Sequence, residues 1–575
     1  MGLMNSALQI GRTAILSYQS ALQTVGNNIS SAASEDYIRL SPQLDPLQGA
    51  VTGTLQPGAG VALTGIQRNI DEALESRLRD SIAARESGVT QQDSLSQVES
   101  FLDDLSGAGL DGTLRDFFTS FDQLQNTPED RATRDFTLSA GAQLAESLQS
   151  LRARFSNLGA DLDSQIASLV TTADEIAQKI GTLNAEIVTS EAGGNGQATG
   201  LRDQRDGLLR DLAEIFDTTV REQADGAINV YIGSEALVQG ASVRRLAAVE
   251  ELDGSFVRTT VQFADTAGQV EIRSGRMQGL IVSRDRFAYG QVARVDQLAS
   301  AIIEDINKIH ANGQGLISFD TTTGANGLRA TDLALNDPET GLSQTPQDGS
   351  FYIVVADDVT QTPVATRIDV SFSTPGSETT LDSLVADINA QVDGVTASIA
   401  PGNRLTVTAD EGFTFSFGHD GQVARADTSG VLAALGVNTL FEGTDARDIR
   451  VSQALIDQPL LLAAATTNHV GDGTNAGLLA SAETNDSAAL GGASIRDFYN
   501  SFVTSVAVAS AAARDDMEAA SIVHESLNAQ REGVSGVNLD EEAIALLKFE
   551  RAFQGVARYV SVVDGLVRDL VALIR

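Results

Sequence analysis

An apolar seam at alternating steps of four and three residues occupies each end of the chain, and it limits what those ends can fold into. The first runs Met4, Leu8, Gly11, Ile15, Tyr18, Leu22, Val25, Ile29. The second runs Leu546, Phe549, Phe553, Val556, Val560, Val563, Val567, Leu570, Ile574. A mean spacing near 3.5 residues keeps one stripe of a helix against a partner along its whole length, which is the coiled-coil requirement. Chain ends are commonly frayed and polar. Two apolar ends are therefore expected to pair with each other and with further copies, so the sequence reads as an assembly subunit. A lone helix pair buries little, and both ends are expected to be disordered in the free monomer until neighbouring subunits cover them.

The charge pattern agrees with buried ends. Residues 1–34 carry Arg12 as their one charged side chain, with Glu35 the first carboxylate, although the 575-residue chain has a net charge of -38 from 77 acidic and 39 basic residues. Such acidity argues against binding nucleic acid or an anionic membrane, because a basic surface is needed to displace counterions. No run approaches the roughly 18 apolar residues of a membrane span. The sequence has no cysteine, hence no disulfide framework or thiolate chemistry. Met1 leads directly into the seam without a basic or continuous apolar leader, so the chain is expected to be either cytoplasmic or exported by a route without a cleaved signal.

The periodicity predicts an α+β fold built from both chain ends. Helical patterns run from Asp71 to Leu105 with a soft spot at Gly88, from Leu144 to Ile187, from Arg284 to Ile309 and from Ile495 to Gln530. Residues 41–60, rich in proline and glycine, read as loop or short strand. Thr219–Ile232 alternates across Asp225-Gly226 as a hairpin. Strand-like runs at Phe351–Val355, Arg367–Phe372, Leu405–Thr408 and Phe413–Phe417 mark a mostly β insert. The expected division is a terminal coiled coil from 1–60 and 535–575, a long-helix bundle from 61–200 and 451–534, a mixed α/β domain over 201–317, and the β insert over 318–450.

Chemical motifs are sparse. Gly107, Gly109 and Gly112 spell G-x-G-x-x-G but follow a helical segment, so the strand-to-helix turn that cradles a phosphate is absent. The histidines His310, His419, His469 and His524 are far apart in sequence and lack zinc-site spacing. Asp472-Gly473-Thr474-Asn475 lacks the regularly spaced acids of a calcium loop and reads as a turn. Carboxylates are so numerous that no pair of them singles out acid-base catalysis. No catalytic residue, cofactor or metal is therefore assigned.

Five segments carry a family resemblance. These are Asn27-Asn28-Ile29-Ser30, Phe117–Phe121 with Asn126–Asp130, Leu201-Arg202-Asp203-Gln204-Arg205-Asp206, Gly471–Ala476, and Ser535-Gly536-Val537-Asn538-Leu539-Asp540-Glu541-Glu542 before the last seam. Together they resemble the bacterial flagellar axial proteins, and Leu201–Asp206 resembles the hook-associated branch in particular. The family usually has Pro-Gly before the tyrosine that Glu35-Asp36 precedes here at Tyr37. The resemblance implies type III export, an extracellular place between hook and filament, and terminal helices lining an inner tube. It implies as partners other copies of the chain, the hook protein, hook-associated protein 3, and a cytoplasmic export chaperone on the C-terminal helix. Within the class the alternative is a hook or filament subunit; outside it, a secreted glycan-binding or hydrolytic protein carried by the β insert.

Overall fold

The computed structural model describes residues 2–34, 36–48, 58–102, 109–193, 197–254, 256–357, 359–360, 362–373, 376–420, 423–469 and 471–573. The helices are α1 (Gly2–Ser31), α2 (Glu72–Leu102), α3 (Leu110–Asn126), α4 (Arg131–Glu191), α5 (Thr199–Ile215), α6 (Gly275–Val282), α7 (Gly290–His310), α8 (Leu381–Gln391), α9 (Val431–Leu435), α10 (Gln453–Asp457), α11 (Thr474–Ser481), α12 (Ile495–Ser535) and α13 (Leu539–Leu573). A π-helical segment, Ser283–Tyr289, joins α6 to α7. The strands are β1 (Leu40–Gln48), β2 (Gly58–Arg68), β3 (Thr218–Glu222), β4 (Ile228–Ile232), β5 (Glu235–Gln239), β6 (Ser242–Val243), β7 (Leu246–Asp253), β8 (Phe256–Phe263), β9 (Thr321–Thr323), β10 (Gly349–Asp357), β11 (Pro363–Val370), β12 (Val395–Ala400), β13 (Arg404–Ala409), β14 (Phe413–Phe417), β15 (Phe441–Glu442) and β16 (Arg450–Val451). The fold is α+β.

The chain forms two compact units, one from 1–93, 160–283 and 511–575, the other from 94–159 and 284–510. In the first, α1 and α13 pair antiparallel. Tyr18 and Phe549 rings lie 6.4 Å apart, Asn28 bonds Glu542, and a Cβ on Gly11 would stand 2.3 Å from Val560 Cγ2. The buried stripe of α1 is made of small side chains, Gly11, Ala14, Ser17, Ala21 and Thr24, together with Val25 and Asn28. Small residues let the backbones of α1, α13 and the β1–β2 ribbon come close. The large residues of the predicted seam sit beside this stripe: Leu8, Ile15, Tyr18 and Leu22 are half-buried and Ile29 is exposed.

The segment expected as loop or short strand is in part a long antiparallel ribbon, β1 on β2, with bulges after Gln43 and Pro46. Pro42 and Pro46 are tolerated because β1 pairs only with β2 and needs no donors on its outer edge. Residues 49–57, which hold Gly49, Gly53 and Pro57, lie outside the described residues. Ser17 ties the ribbon to α1, its Oγ accepting from Leu63 N at 3.0 Å.

The predicted soft spot at Gly88 is no break, since α2 is continuous through it. A Cβ there would lie 3.0 Å from Met517 Cα, so glycine admits the backbone of α12. Asp71 starts α2 by accepting from Ala73 and Leu74 N–H, the usual carboxylate cap. The core of this unit contains Leu74, Leu78 and Ile82 of α2, Ala213 of α5 and Leu527 of α12. The expected hairpin is present as β3–β4 within a β3-β4-β5-β6 sheet.

The second unit holds the β insert. Its sheets are β11-β10-β14, β12-β13-β9 and β15-β16; three of the strand-like runs fall within β10, β13 and β14, while Arg367–Phe372 overruns the end of β11 at Val370. The helix α8 was not anticipated inside this insert. It is started by a capping box between Thr380 and Ser383. Edge-on phenylalanines fill the core, with Phe117 against Phe118 and Phe121, Phe155 against Phe502, and Phe415 against Phe417.

Candidate functional site

Three of the five sequence segments meet in the first unit. Asn28, 1% exposed near the end of α1, uses all four of its hydrogen-bonding capacities. Its Nδ2 donates to Leu40 O and to Glu542 Oε2, both at 2.9 Å. Its Oδ1 accepts from Leu40 N at 3.0 Å and from the Tyr37 hydroxyl at 2.8 Å. One side chain thus joins α1, the start of β1, the intervening loop and the first turn of α13. A buried amide so fully engaged specifies a single geometry, because any shift would leave a polar group unpaired.

Glu542, 2% exposed, also accepts from Arg39 Nε at 2.8 Å, while Arg39 Nη1 reaches Glu541 at 2.8 Å. Arg39 N–H donates to Ser535 O, and Asn538 Oδ1 accepts from Asp540 N to start α13. The segment Ser535–Glu542 is therefore a turn and helix start that closes on the end of α1.

The Leu201–Asp206 segment lies on α5 and holds the same end of the ribbon from its second strand, since Arg68 pairs in register with Leu40. Arg68, the last residue of β2, donates to Asp203 at 2.8 Å and pairs with Asp206. Burial pushes the Asp203 carboxyl up to about 6, with Arg68 opposing and Asp206 adding to the shift. Burial also pushes the Tyr37 hydroxyl up to about 12, helped by the charges of Asp203 and Glu542. Arg202 is bonded by Glu191 and Glu222, which raise its pKa, Glu191 most. Arg205 Nη1 donates to Asn184 and to Gly226 O.

Other members of these segments stay outside the cluster. Asn27, Gln204, Leu539 and Asp540 are exposed, and Gly536 and Val537 are half-buried in the turn. Sequence reasoning missed Arg39, Leu40 and Arg68 and noted Tyr37 only as a departure from the family pattern. A signal was present: Arg12, Arg39 and Arg68 are the cations of the first 70 residues, so two of the three serve this cluster.

Of the C-terminal seam, Val563 is buried and Leu546, Phe549, Phe553, Val556, Val560 and Val567 are half-buried. The side chains of Met4 and Leu570, and the whole of Ile574, lie outside the described residues. A further apolar row on α13 is open to solvent: Ile544 at 68%, Leu547 at 54%, Tyr559 at 41%, Val562 at 63% and Leu566 at 56%. At roughly 100° per residue it lies about 130° around the helix from the seam.

The remaining two segments meet in the second unit. Asp130 accepts from Thr133 N and Oγ1 to start α4. Arg134, 1% exposed, donates to Pro128 O at 2.8 Å and Leu462 O at 2.6 Å, and burial holds its guanidinium down at about 10. Asp472 accepts from Thr466, Thr467 and Thr474 N–H, so Gly471–Ala476 is a side-chain-braced turn. Asn475 donates to Ala463 O at 2.7 Å. His310 Nε2 accepts from Ala463 N at 3.1 Å while Nδ1 faces Asn438 O at 2.8 Å. Gly109 immediately precedes α3 and Gly112 lies within it, while Gly107 is outside the described residues. Among the described residues no three His, Cys, Asp or Glu side chains are grouped to hold a metal ion, and no helix is long and apolar enough to cross a membrane.

These clusters brace the helices and the ribbon against one another within each unit, and the proteins similar in sequence are flagellar ones. The family described as the flagellar hook-associated protein FlgK helical domain matches residues 95–326, and the flagellin hook IN motif matches 353–411. Flagellar hook-associated protein 1 of Escherichia coli is 26% identical over 99% of this chain and 100% of its own length. The chain is similar to hook-associated protein 1 along nearly its whole length. The Bacillus subtilis hook-associated protein 1 is 26% identical over 55% of the chain and 70% of its own length. The solved flagellar hook junction protein FlgK from Burkholderia pseudomallei, at 15% identity and a TM-score of 0.52, covers 80% of the chain and shares its fold. The similarity thus spans both units, and the helical-domain match runs from the end of α2 through α7.

Proposed function

We propose that the chain is a structural subunit of the bacterial flagellum that joins the hook to the filament, and that it assembles by burying its terminal helices between copies. The observation that carries this reading is the apolar row Ile544, Leu547, Tyr559, Val562 and Leu566 on α13, which is open to solvent among the described residues. Covering five such half-exposed side chains is worth on the order of 5 kcal/mol gross per helix, enough to bias association but small enough to leave an isolated chain soluble. On a separate face, at the edge of the α1–α13 contact, the half-buried residues Leu8, Ile15, Tyr18, Leu22, Phe549, Phe553 and Val556 leave further apolar area open. Heterologous contacts repeated between copies generate a ring or helical tube.

On this reading the chain is exported through the flagellar type III route, lies outside the cell, and has no catalytic role. The hook protein meets one face of the assembled ring and hook-associated protein 3 the other. A cytoplasmic chaperone covers the open row on α13 before export, where it would otherwise promote premature association. Similarity to hook-associated protein 1 along nearly the whole chain supports this reading.

The experiment is Val562→Asp with Leu566→Asp in the full chain, expressed in a strain lacking its own copy. Both side chains are exposed, so the helix content and thermal midpoint should match the parent. Swimming and antibody labelling at the hook tip should be lost. A variant that is secreted, labels the hook tip and restores swimming would overturn the proposal.

A further inference from the structure

The open face of α13 is basic in an acidic chain. Residues 543–563 hold Lys548, Arg551 and Arg558 against one carboxylate, Glu550, which accepts from Gln554 Nε2 at 3.1 Å. The helix packed against α13, α1, has Arg12 as its one charged residue. Lys548, Arg551 and Arg558 are exposed, and among the described residues their side chains enter no ion pair or hydrogen bond. At roughly 100° per residue, Leu547, Arg551, Gly555, Arg558 and Val562 share a face about 80° wide. A Cβ on Gly555 would meet nothing within 4 Å. Arg551, Gly555 and Arg558 therefore form a recess one glycine wide with a cation on either side.

The same unit carries a counterpart on α12. Asp515, Glu518, Ile522 and Glu525 also share a face about 80° wide, and all four are exposed, Ile522 at 61%. These three carboxylates enter no ion pair among the described residues. From 511 to 530, Arg514 is the one Arg or Lys against Asp515, Asp516, Glu518 and Glu525. Arg85 of α2, which acts on His524 from the packed side, is already paired with Glu86. Glu518, Ile522 and Glu525 repeat the steps of four and three that separate Arg551, Gly555 and Arg558, so the charged ends of each triplet stand about 10.5 Å apart along the helix. An isoleucine between two carboxylates matches a glycine between two cations.

We propose that Ile522 on α12 of one copy seats over Gly555 on α13 of the next, with Glu518 and Glu525 paired to Arg551 and Arg558. The inference deepens the assembly reading and rests on it, naming what covers the open row. The two faces are different surfaces of one chain, so the contact is heterologous and repeats from copy to copy instead of closing as a dimer. Carboxylates are plentiful elsewhere on the chain, and the matched spacing around an exposed isoleucine is what selects this face. Solvent-exposed ion pairs add little affinity. Their part is to fix register and partner, while the apolar row supplies the burial.

The chain has no cysteine, so introduced thiols report only their own contact. Full chains carrying Ile522→Cys and Gly555→Cys are co-expressed in cells lacking the parental copy, and the assembled flagella are oxidised with copper phenanthroline. A disulfide needs Cα atoms within about 7 Å. The 522–555 dimer should exceed at least tenfold the dimer of Ile522→Cys with Ala557→Cys, an exposed position about 160° around α13 from Gly555; equal yields overturn the proposal. Charge reversal gives a second readout. Glu518→Lys with Glu525→Lys should shrink the swimming zone at least threefold, as should Arg551→Glu with Arg558→Glu, and all four in one chain should bring it back to within twofold of the parent. Reversals without effect, or a fourfold variant no better than either pair, refute the pairing. Should the reversed chains fail to be secreted, the disulfide yields decide. Lost swimming in Val562→Asp with Leu566→Asp alongside an absent 522–555 dimer removes this contact and leaves the assembly reading standing, whereas normal swimming of that variant removes both.

Discussion

Asn28→Ala tests whether the cluster that closes the terminal helices depends on one amide. The substitution removes four hydrogen bonds. Two of the deserted partners have alternatives: Glu542 keeps Arg39, and the half-buried Tyr37 hydroxyl can turn to water. The N–H and C=O of Leu40, a residue 8% exposed, have no such replacement. Each stranded buried group costs about 1–3 kcal/mol, so the local cost is about 4 kcal/mol. That corresponds to roughly a thousandfold larger population of the locally open state. Native-state amide exchange of the full chain reads this directly, since opening free energies differ between regions and need no two-state assumption. Amides from Ile38 to Leu40 and around Glu542 should exchange about a thousandfold faster, while those of α3 in the second unit stay unchanged. Exchange at Leu40 within threefold of the parent would refute the reasoning.

Three further outcomes are expected. Burial holds the His310 imidazole down at about 4 against an ordinary value near 6.5 in the unfolded chain. Its contribution is therefore fully present above pH 6.5 and lost as the pH falls toward 4, about 3 kcal/mol in all. His310→Gln should be less stable at pH 7.5 yet lose less between pH 7 and 4, and parallel melting-temperature curves for the two proteins would refute this. Arg134→Lys keeps the charge but cannot span Pro128 O and Leu462 O in the same fork, so the midpoint of the transition that melts α3 should fall, at a cost of about 2 kcal/mol; an unchanged midpoint sinks the idea. Gly88→Val improves on glycine in helix propensity but drives a branched side chain into the α12 backbone, at a net cost of about 2–3 kcal/mol in urea unfolding of the first unit. A neutral or stabilised variant would show that the helices are not in close contact there.

Much of the secondary structure was legible because long helices repeat one constraint many times. Leu144 to Ile187 supplied an unbroken period, and α4 extends it in both directions to Arg131 and Glu191. Short or two-sided elements were less visible. In β1 the prolines at 42 and 46 disguised a strand that has one free edge, and α8 is short enough that Leu381, Leu384 and Ile388 made little impression among β signals. Gly88 misled in a different way. Propensity treats a mid-helix glycine as a weakness, whereas its reason here is a neighbour far away in sequence that no local pattern announces: the Met517 backbone of α12.

The site shows the same division between what repeats and what is singular. The terminal seams advertised themselves by period, yet the internal contact of α1 uses the small side chains Gly11, Ala14, Ser17 and Ala21 and leaves the large seam residues half-covered. Period alone could not separate these two rows, because stripes one residue apart in a helix share the same 3.5-residue spacing. Burial separates them, and it gives each a physical task. The small row sets how closely α13 and the ribbon approach α1, and the large residues keep apolar area in reserve at the edge of that contact. The polar cluster of Asn28, Arg39 and Glu542 then fixes the register between the two helices, a function that apolar side chains perform poorly because they slide at little cost. An assembly subunit needs both properties: a terminal layer with a defined register in each copy, and an apolar surface that the copy itself does not consume.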